Sequence, residues 1–197
     1  MQSQTIVFFG IAGSGKGTQI DLLKDFLKER DVKDCLKIGS GTGFRKILAS
    51  ESYTANLVRD SLLRGELQPD FLTNSLVAND LIYYLTIDKH LLIDGYPRTV
   101  EQAKTLESMM KFYKRRNVKI VYIKIGKTEA IERSLSRGRE DDTRDSIAKR
   151  FDEYEDNVIP AMEYLQSKAD EGYEVYTING EQSISDVHEE IITALKF

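Results

Sequence analysis

A chain of 197 residues, 41% hydrophobic and 30% charged, has the size and composition of one globular domain with room for small insertions. Its net charge of −4 argues against a protein built to hold nucleic acid or an anionic membrane, and no apolar run approaches the ~20 residues of a membrane span. The one cysteine, Cys35, excludes an internal disulfide and a thiolate metal site, points to a reducing compartment, and reads as a small buried hydrophobe.

Met1-Gln2-Ser3-Gln4 has no signal-peptide form and leads straight into the apolar strand pattern Thr5-Ile6-Val7-Phe8-Phe9. Gly10-Ile11-Ala12-Gly13-Ser14-Gly15-Lys16-Gly17-Thr18 follows, and Gln19 to Arg30 carries Ile20, Leu23 and Leu27 at helical spacing. Strand, glycine loop and helix in this order make a phosphate loop: glycines let backbone N–H groups crowd round an anion, the helix start adds partial positive charge, and Lys16 adds a full one. Gly17 stands where most such loops have the Ser or Thr that ligates magnesium, with Thr18 one place later. A magnesium ion here is expected to rest mainly on water and substrate phosphates.

Lys33 to Ile38 reads as a short second strand. Gly39-Ser40-Gly41-Thr42-Gly43 then reads as a loop before a helix that begins at Phe44-Arg45. The residues alone leave that loop either a bare turn or a second anion-binding loop. Tyr53 to Leu63 is helix-patterned and stops at Arg64-Gly65, and Glu66-Leu67-Gln68-Pro69 is a turn. Asp70 suits the N-cap of a helix running from Phe71 to about Asp88, with Leu72, Leu76, Asn79 and Tyr83 as its expected core face.

His90 to Asp94 is a buried-type strand ending in an acid, which after a phosphate loop reads as the carboxylate that orients the water shell of magnesium. Tyr96-Pro97 is a candidate cis bond, and Arg98 sits where open α/β sheets bind ligands. Val100 to Lys114 is helical, Val118 to Ile125 is the longest strand pattern, and Lys127 to Arg137 is a helix with Arg133 and Arg137 on one face. Ser136 to Arg144 is a mixed charge run, by composition alone a solvated loop, after which Asp142 or Thr143 caps a helix carrying Ile147, Arg150, Phe151 and Tyr154. A helix near Pro160 to Ala169, a last strand Glu174 to Ile178 and a final helix Ile184 to Leu195 complete the chain. His90 and His188 have no ligand-like partners close in sequence. Alternating strands and helices, with no repeat and no flexible linker, predict a parallel sheet covered on both faces.

From Gly10 to Gln182 the chain resembles the nucleoside monophosphate kinases, and adenylate kinases in particular. The loop ending Gly15-Lys16-Gly17-Thr18-Gln19, the segment Gly39 to Arg45, the stretch Asp94-Gly95-Tyr96-Pro97-Arg98-Thr99 with Gln102, and the arginines of the charge run carry the resemblance. The departures are Ala12 for the usual proline, Ser40 for Thr and Thr42 for Asp.

The resemblance implies a single P-loop kinase domain over residues 1–197, a three-layer α/β fold with five parallel strands in the order 2-3-1-4-5, a helical monophosphate-binding insertion at 39–68, and a very short lid at 137–144. It implies ATP contacts from Gly13, Ser14, Gly15, Lys16, Gly17, Thr18, Arg133, Arg137 and Gln182. For AMP it implies Ser40, Arg45, Glu66, Leu67, Gln68, Gly95, Tyr96, Pro97, Arg98, Gln102, Arg139 and Arg150. The catalytic group would be Lys16, Arg98, Arg137, Arg139 and Arg150, with Asp94 holding magnesium through water and Asp141-Asp142 as the family's acidic pair. No zinc is expected, because the lid has no cysteine set. The implied reaction is reversible phosphoryl transfer from ATP to AMP giving two ADP, in a cytoplasmic monomer that engages neither nucleic acid nor membrane. A UMP/CMP kinase shares the fold and is the nearest alternative. A Gln amide at 102 can pair with an adenine edge by donating and accepting at once, which favours AMP. A regulatory P-loop protein without turnover is the alternative of another class. Against it, no guanine-reading Asn-Lys-x-Asp is present, and Lys16, Arg98 and the lid arginines are all retained.

Overall fold

A strand buried on both faces must find its hydrogen-bond partners in other strands and its cover in helices. Thr5–Phe9 (β1) and His90–Asp94 (β3) meet that description, being buried almost throughout. They pair in parallel as neighbours, with Phe8 opposite Asp94. The computed structural model of the chain describes residues 2–138 and 142–197. Its sheet adds Cys35–Gly39 (β2), Val118–Lys124 (β4) and Tyr173–Asn179 (β5) in the all-parallel order β2-β3-β1-β4-β5. This is the expected order.

Alternation along the strands divides the core between two faces. Val7, Ile38, Leu91, Ile93 and Ile120 face one side, and Ile6, Phe8, Leu92, Val121 and Ile123 the other. The first face is covered by Asp70–Tyr84 (α4), Val100–Phe112 (α5) and Ile159–Gln166 (α8), through Val77, Leu81, Leu106, Met110 and Leu165. The second is covered by Lys16–Arg30 (α1) and Ile184–Ala194 (α9), through Ile20, Leu23, Leu27, Val187 and Ile191. Cys35 is buried in this second layer, as expected for a small hydrophobe. Four further helices stand around the carboxyl edge of the sheet: Ser40–Leu48 (α2), Tyr53–Leu63 (α3), Lys127–Arg137 (α6) and Arg144–Glu153 (α7). A π-helical turn, Tyr154–Val158, joins α7 to α8.

Four sequence expectations need correction. The glycines after Gly39 do not form a loop: Ser40 through Gly43 are the first turn of α2. Glycine is a poor helix former, but here tertiary packing decides. A Cβ on Gly43 would lie 2.9 Å from Leu76 Cδ1, so the missing side chain lets α2 lie directly on α4. Asp70 is the first residue of α4 and not its cap; Pro69 precedes it. The Asp70 carboxylate instead accepts from Thr99 Oγ1 and Gln102 Nε2, at 3.0 and 2.8 Å. Next, α4 stops at Tyr84 and buries Thr73, Val77 and Leu81, leaving Asn79 and Tyr83 exposed. The helix is apolar on more than one side, so periodicity alone chose the wrong face. The helix near Pro160 begins at Ile159 and ends at Gln166, its expected last turn being a separate 3₁₀ turn, Ala169–Glu171.

The Gly43–Leu76 contact gives a direct test of the α2–α4 seat. Gly43→Val should lower unfolding stability in urea by roughly 1–3 kcal/mol through overpacking. Combining it with Leu76→Ala should recover part of that loss, with a coupling of at least about 0.5 kcal/mol. Strict additivity of the two changes would show that the contact does not matter.

Candidate active site

The carboxyl ends of β1, β2 and β3 and the turn after β5 open onto one cleft of about 1410 Å³. Open parallel sheets bind ligands on this side because loops and helix starts converge there. The floor is the loop between β1 and α1. Gly10, Gly13 and Gly15 all have positive φ (144°, 86° and 87°). A Cβ on Gly10 would lie 2.5 Å from the Ile123 carbonyl oxygen, and one on Gly13 would lie 2.6 Å from that of Ala130. The loop is therefore pressed onto β4 and α6, with Ser14 N donating to the Ile11 carbonyl at 3.1 Å. Lys16 folds back over it and donates from Nζ to the carbonyls of Gly10 (2.5 Å) and Ile11 (2.9 Å). At Gly17 a side chain would meet nothing within 4 Å, so the missing hydroxyl leaves open space beside Thr18.

The next wall is the turn after β3. Asp94 ends the strand between Phe8 and Gly39, and a Cβ on Gly39 would lie 2.7 Å from the Asp94 carbonyl oxygen. Tyr96-Pro97 is cis, as expected. Arg98 Nε donates to the Gly95 carbonyl at 2.8 Å, and Ser40 Oγ donates to the same oxygen, also at 2.8 Å. Burial draws the Arg98 guanidinium below its ordinary pKa, while Asp94 opposes that shift and Arg150 adds to it. Gln102 fixes this turn: its Oε1 accepts from the Arg98 N–H and its Nε2 donates to Asp70, both at 2.8 Å. Among the described residues, one N–H and one lone pair of the amide have no further partner. Tyr96, expected among the acceptor contacts, does not line the cleft. Its ring is buried in the core, and its hydroxyl donates to Asn74 Oδ1 and the Gln102 carbonyl.

On the side of α2 and α3, Arg45 is exposed and donates to Thr42 Oγ1 at 3.0 Å. Glu66 is held by Arg64 in a two-point pair (2.9 and 2.8 Å), and Gln68 and Ser61 exchange hydrogen bonds. Gly65 ends α3 in a left-handed cap, with Glu66 N donating to the Ser61 carbonyl. A Cβ there would lie 2.4 Å from the Ser146 carbonyl oxygen, so Gly65 also brings the 39–68 segment against the start of α7.

Opposite stand the arginines of α6 and α7. Arg137 is the last residue of α6, capped by left-handed Gly138, and it grips Asp142 with two bonds (Nε 3.0 Å, Nη2 2.9 Å). Arg150 Nη1 reaches the same carboxylate at 2.8 Å. Thr143 caps α7 with a full capping box to Ser146. Burial alone would raise the pKa of Asp142, but the hydrogen bonds from Arg137 and Arg150 outweigh it and pull the carboxyl below its ordinary range. Arg133 donates to Glu129 and to the Gly180 carbonyl, and Gln182 donates to the Asn179 carbonyl and Glu190. Arg139 and Asp141 lie outside the described residues.

All the other candidate residues except Tyr96 and Asp142 line this one cleft. Sequence reasoning missed Arg59, which joins the wall from α3, and Lys37, which pairs with Asp21 at 2.6 Å near the loop. Nothing local marks either one, because only the tertiary fold turns them inward. Among the described residues, eight Lys and Arg side chains face the cleft against four carboxylates.

A phosphate loop, an acid ending the neighbouring strand, and arginines delivered from separate helices define a P-loop phosphotransferase of the nucleoside monophosphate kinase class. A family model described as adenylate kinase matches residues 8–170. The chain is 30% identical over 190 residues to the adenylate kinase of Oenococcus oeni, covering 96% of each protein. It is 30% identical over 190 residues to that of Corynebacterium urealyticum, covering 96% of this chain and 98% of that one. It is 28% identical over 222 aligned positions to that of Thermosipho africanus, covering 97% and 99%. The chain belongs to the adenylate kinase family. Among the described residues no helix is long and apolar enough to cross a membrane, and no three His, Cys, Asp or Glu side chains group as a metal site.

The Asp142 clamp predicts an acid-side stability profile. Its folded-state pKa is depressed, so its contribution is present above the unfolded carboxyl value and is lost as pH falls through the folded one. Asp142→Asn should lower the melting temperature at pH 7 by roughly 3–8 °C, given about 1.5–3 kcal/mol for bonds to a charged group. The gap between variant and parent should close as the pH falls through and below the ordinary carboxyl range. A pH-independent gap would contradict the ionised clamp.

Proposed function

We propose that the chain catalyses reversible, magnesium-dependent transfer of the γ-phosphoryl group of ATP to AMP, giving two ADP. The observation that carries this reading is the convergence of Lys16, Arg45, Arg98, Arg137 and Arg150, from five separate segments, on one cleft. Such convergence suits two phosphate-bearing ligands held end to end.

The acceptor needs no general base. Its phosphate has a second pKa of about 6 and is largely dianionic at neutral pH. The cost of the reaction is bringing two polyanions into line, so catalysis is positioning plus positive charge. The loop amides and Lys16 hold the donor phosphates. Arg45 and Arg98 hold the acceptor phosphate, with residues 39–68 acting as the acceptor-binding insertion. An acceptor oxygen forms its bond to the γ-phosphorus as the bond to the β-phosphate oxygen breaks. Arg137 and Arg150 meet the charge on the phosphoryl in flight, with 137–144 as the short lid.

The donor set fits magnesium of the kind that keeps most of its water. Near the loop the described residues offer the Asp94 carboxylate and the hydroxyls of Thr18 and Ser14, the latter beside Lys16, while Asp21 is paired with Lys37, a set too sparse for an all-protein cage. When bound, the ion neutralises charge on the donor phosphates. Zinc has no place in this reading, and the protein works as a cytoplasmic monomer on free nucleotides.

Ser40 and the unspent valences of Gln102 suit an adenine edge. AMP should therefore exceed UMP and CMP by at least about tenfold in kcat/KM, or about 1.4 kcal/mol. Equal or better use of a pyrimidine nucleotide would favour a UMP/CMP kinase, and absence of ADP formation would favour a binding protein without turnover. The two clamps should separate in kinetics. Arg45→Ala should raise KM for AMP about tenfold or more and leave KM for ATP nearly unchanged. Arg137→Ala should mainly lower kcat. Initial rates with each substrate varied in turn decide between this and a shared, nonspecific charge effect. A chelator should abolish turnover without moving the melting temperature, whereas stoichiometric zinc in the purified protein would contradict the metal assignment.

A further inference from the structure

In an all-parallel sheet, the loops that enter the strands lie on the edge opposite the cleft. Three of them, 31–34 before β2, 85–89 before β3 and 113–117 before β4, enter the stretch β2-β3-β1-β4 of the sheet. Val32 and Ile87 lie in the first two loops, and Phe112, the last residue of α5, directly precedes the third; they are 105%, 93% and 78% exposed. One exposed apolar residue is ordinary; three on neighbouring loops of one edge are not.

The loops are not loose. Arg115 donates to the carbonyls of Lys89 (3.0 Å) and Thr86 (2.8 Å), and Ser3 Oγ donates to that of Ile87 (3.1 Å). Lys89 Nζ approaches Asp34 at 3.9 Å. The apolar residues therefore project from a tied edge.

The charge at this edge has the opposite sign to that of the chain. Lys33, Lys89, Lys114, Arg115 and Arg116 face Asp31, Asp34 and Asp88, an excess of two cations in a protein of net charge −4. Asp31 is largely buried and approached by Lys33 and His90. Lys114 and Arg116 are exposed and meet no partner among the described residues. Beyond β4, Lys111 and Lys168 pair with Glu107 and Glu171, leaving Asp170 as the one further acid. A shallow cleft beside the tips is lined by Lys111, Lys114, Arg115 and Arg116, with Asp170 and Glu171 on its far side.

We propose that this edge docks the chain reversibly on an anionic lipid surface, with Val32, Ile87 and Phe112 entering the headgroup boundary and Lys114 and Arg116 meeting lipid phosphates. Tips that project from separate loops suit a fluid surface, and the cationic flank suits an anionic one. The nucleotide cleft faces the other way, so docking leaves substrate access unobstructed. The net charge of the whole chain argues against membrane contact, but at this edge the local balance reverses that sign.

The test is co-sedimentation of the full chain with vesicles of phosphatidylcholine alone or mixed in equal parts with phosphatidylserine. Binding to the mixed vesicles should exceed binding to the neutral ones by roughly tenfold at low salt and fall as salt is raised. Lys114→Glu with Arg116→Glu, and separately Ile87→Ser with Phe112→Ser, should each reduce it severalfold with kcat unchanged. No binding, equal binding to both vesicles, or binding indifferent to either pair of substitutions overturns the proposal. Self-association in gel filtration that the same substitutions abolish would assign the edge to a second copy and overturn it as well.

Discussion

Like charges gathered in one cleft repel, and the arrangement around the phosphate loop is a set of answers to that repulsion. Each cation is seated on an acceptor: Lys16 on the loop carbonyls, Arg98 on Gly95, Arg133 on Glu129 and Gly180, Arg137 and Arg150 together on Asp142. Most of these acceptors are neutral carbonyls or single carboxylates. A phosphate chain carries more charge than any of them and can take their place at little reorganisation cost. The parallel sheet makes this possible by sending five strand ends, and the helices after them, to one edge.

Asp142 has a special position among these partners. It binds two guanidiniums from different helices, α6 and α7. Removing it would take away the carboxylate that the two cations share beside the cleft. Gly65 plays the corresponding part for the other arm. Its missing side chain allows the turn after α3 to rest against the Ser146 carbonyl, so that the 39–68 segment and α7 meet above the phosphate loop. The two contacts determine how closely the arginines can gather.

Much of this was legible in the sequence because the signals were local. The loop from Gly10 to Thr18, the strand ending at Asp94, the cis turn at Pro97 and the helix ending at Arg137 each carry their own residue pattern. What failed depended on distant partners. The helix start at Ser40 rests on Leu76, thirty-odd residues away in sequence, and no local rule allows two glycines in a first turn without that contact. Asp70 looked like a cap because caps are what an isolated Asp before a helix usually makes; its actual partners, Thr99 and Gln102, come from another helix. Tyr96 stands inside the right motif, yet its ring turns to the core, since an apolar ring gains more there than in a charged cleft. Arg59 and Lys37 lacked any pattern and became visible only when the chain was folded.

The account stands or falls on Lys16, the one full charge the phosphate loop itself supplies. Steady-state turnover of Lys16→Met with ATP and AMP, alongside its melting temperature, is the most direct measurement. The charge-positioning account predicts a fall in kcat of at least about 10²–10³-fold, the scale of losing one preorganised donor, with the fold retained. A folded variant that kept turnover within a few-fold of the parent would contradict it.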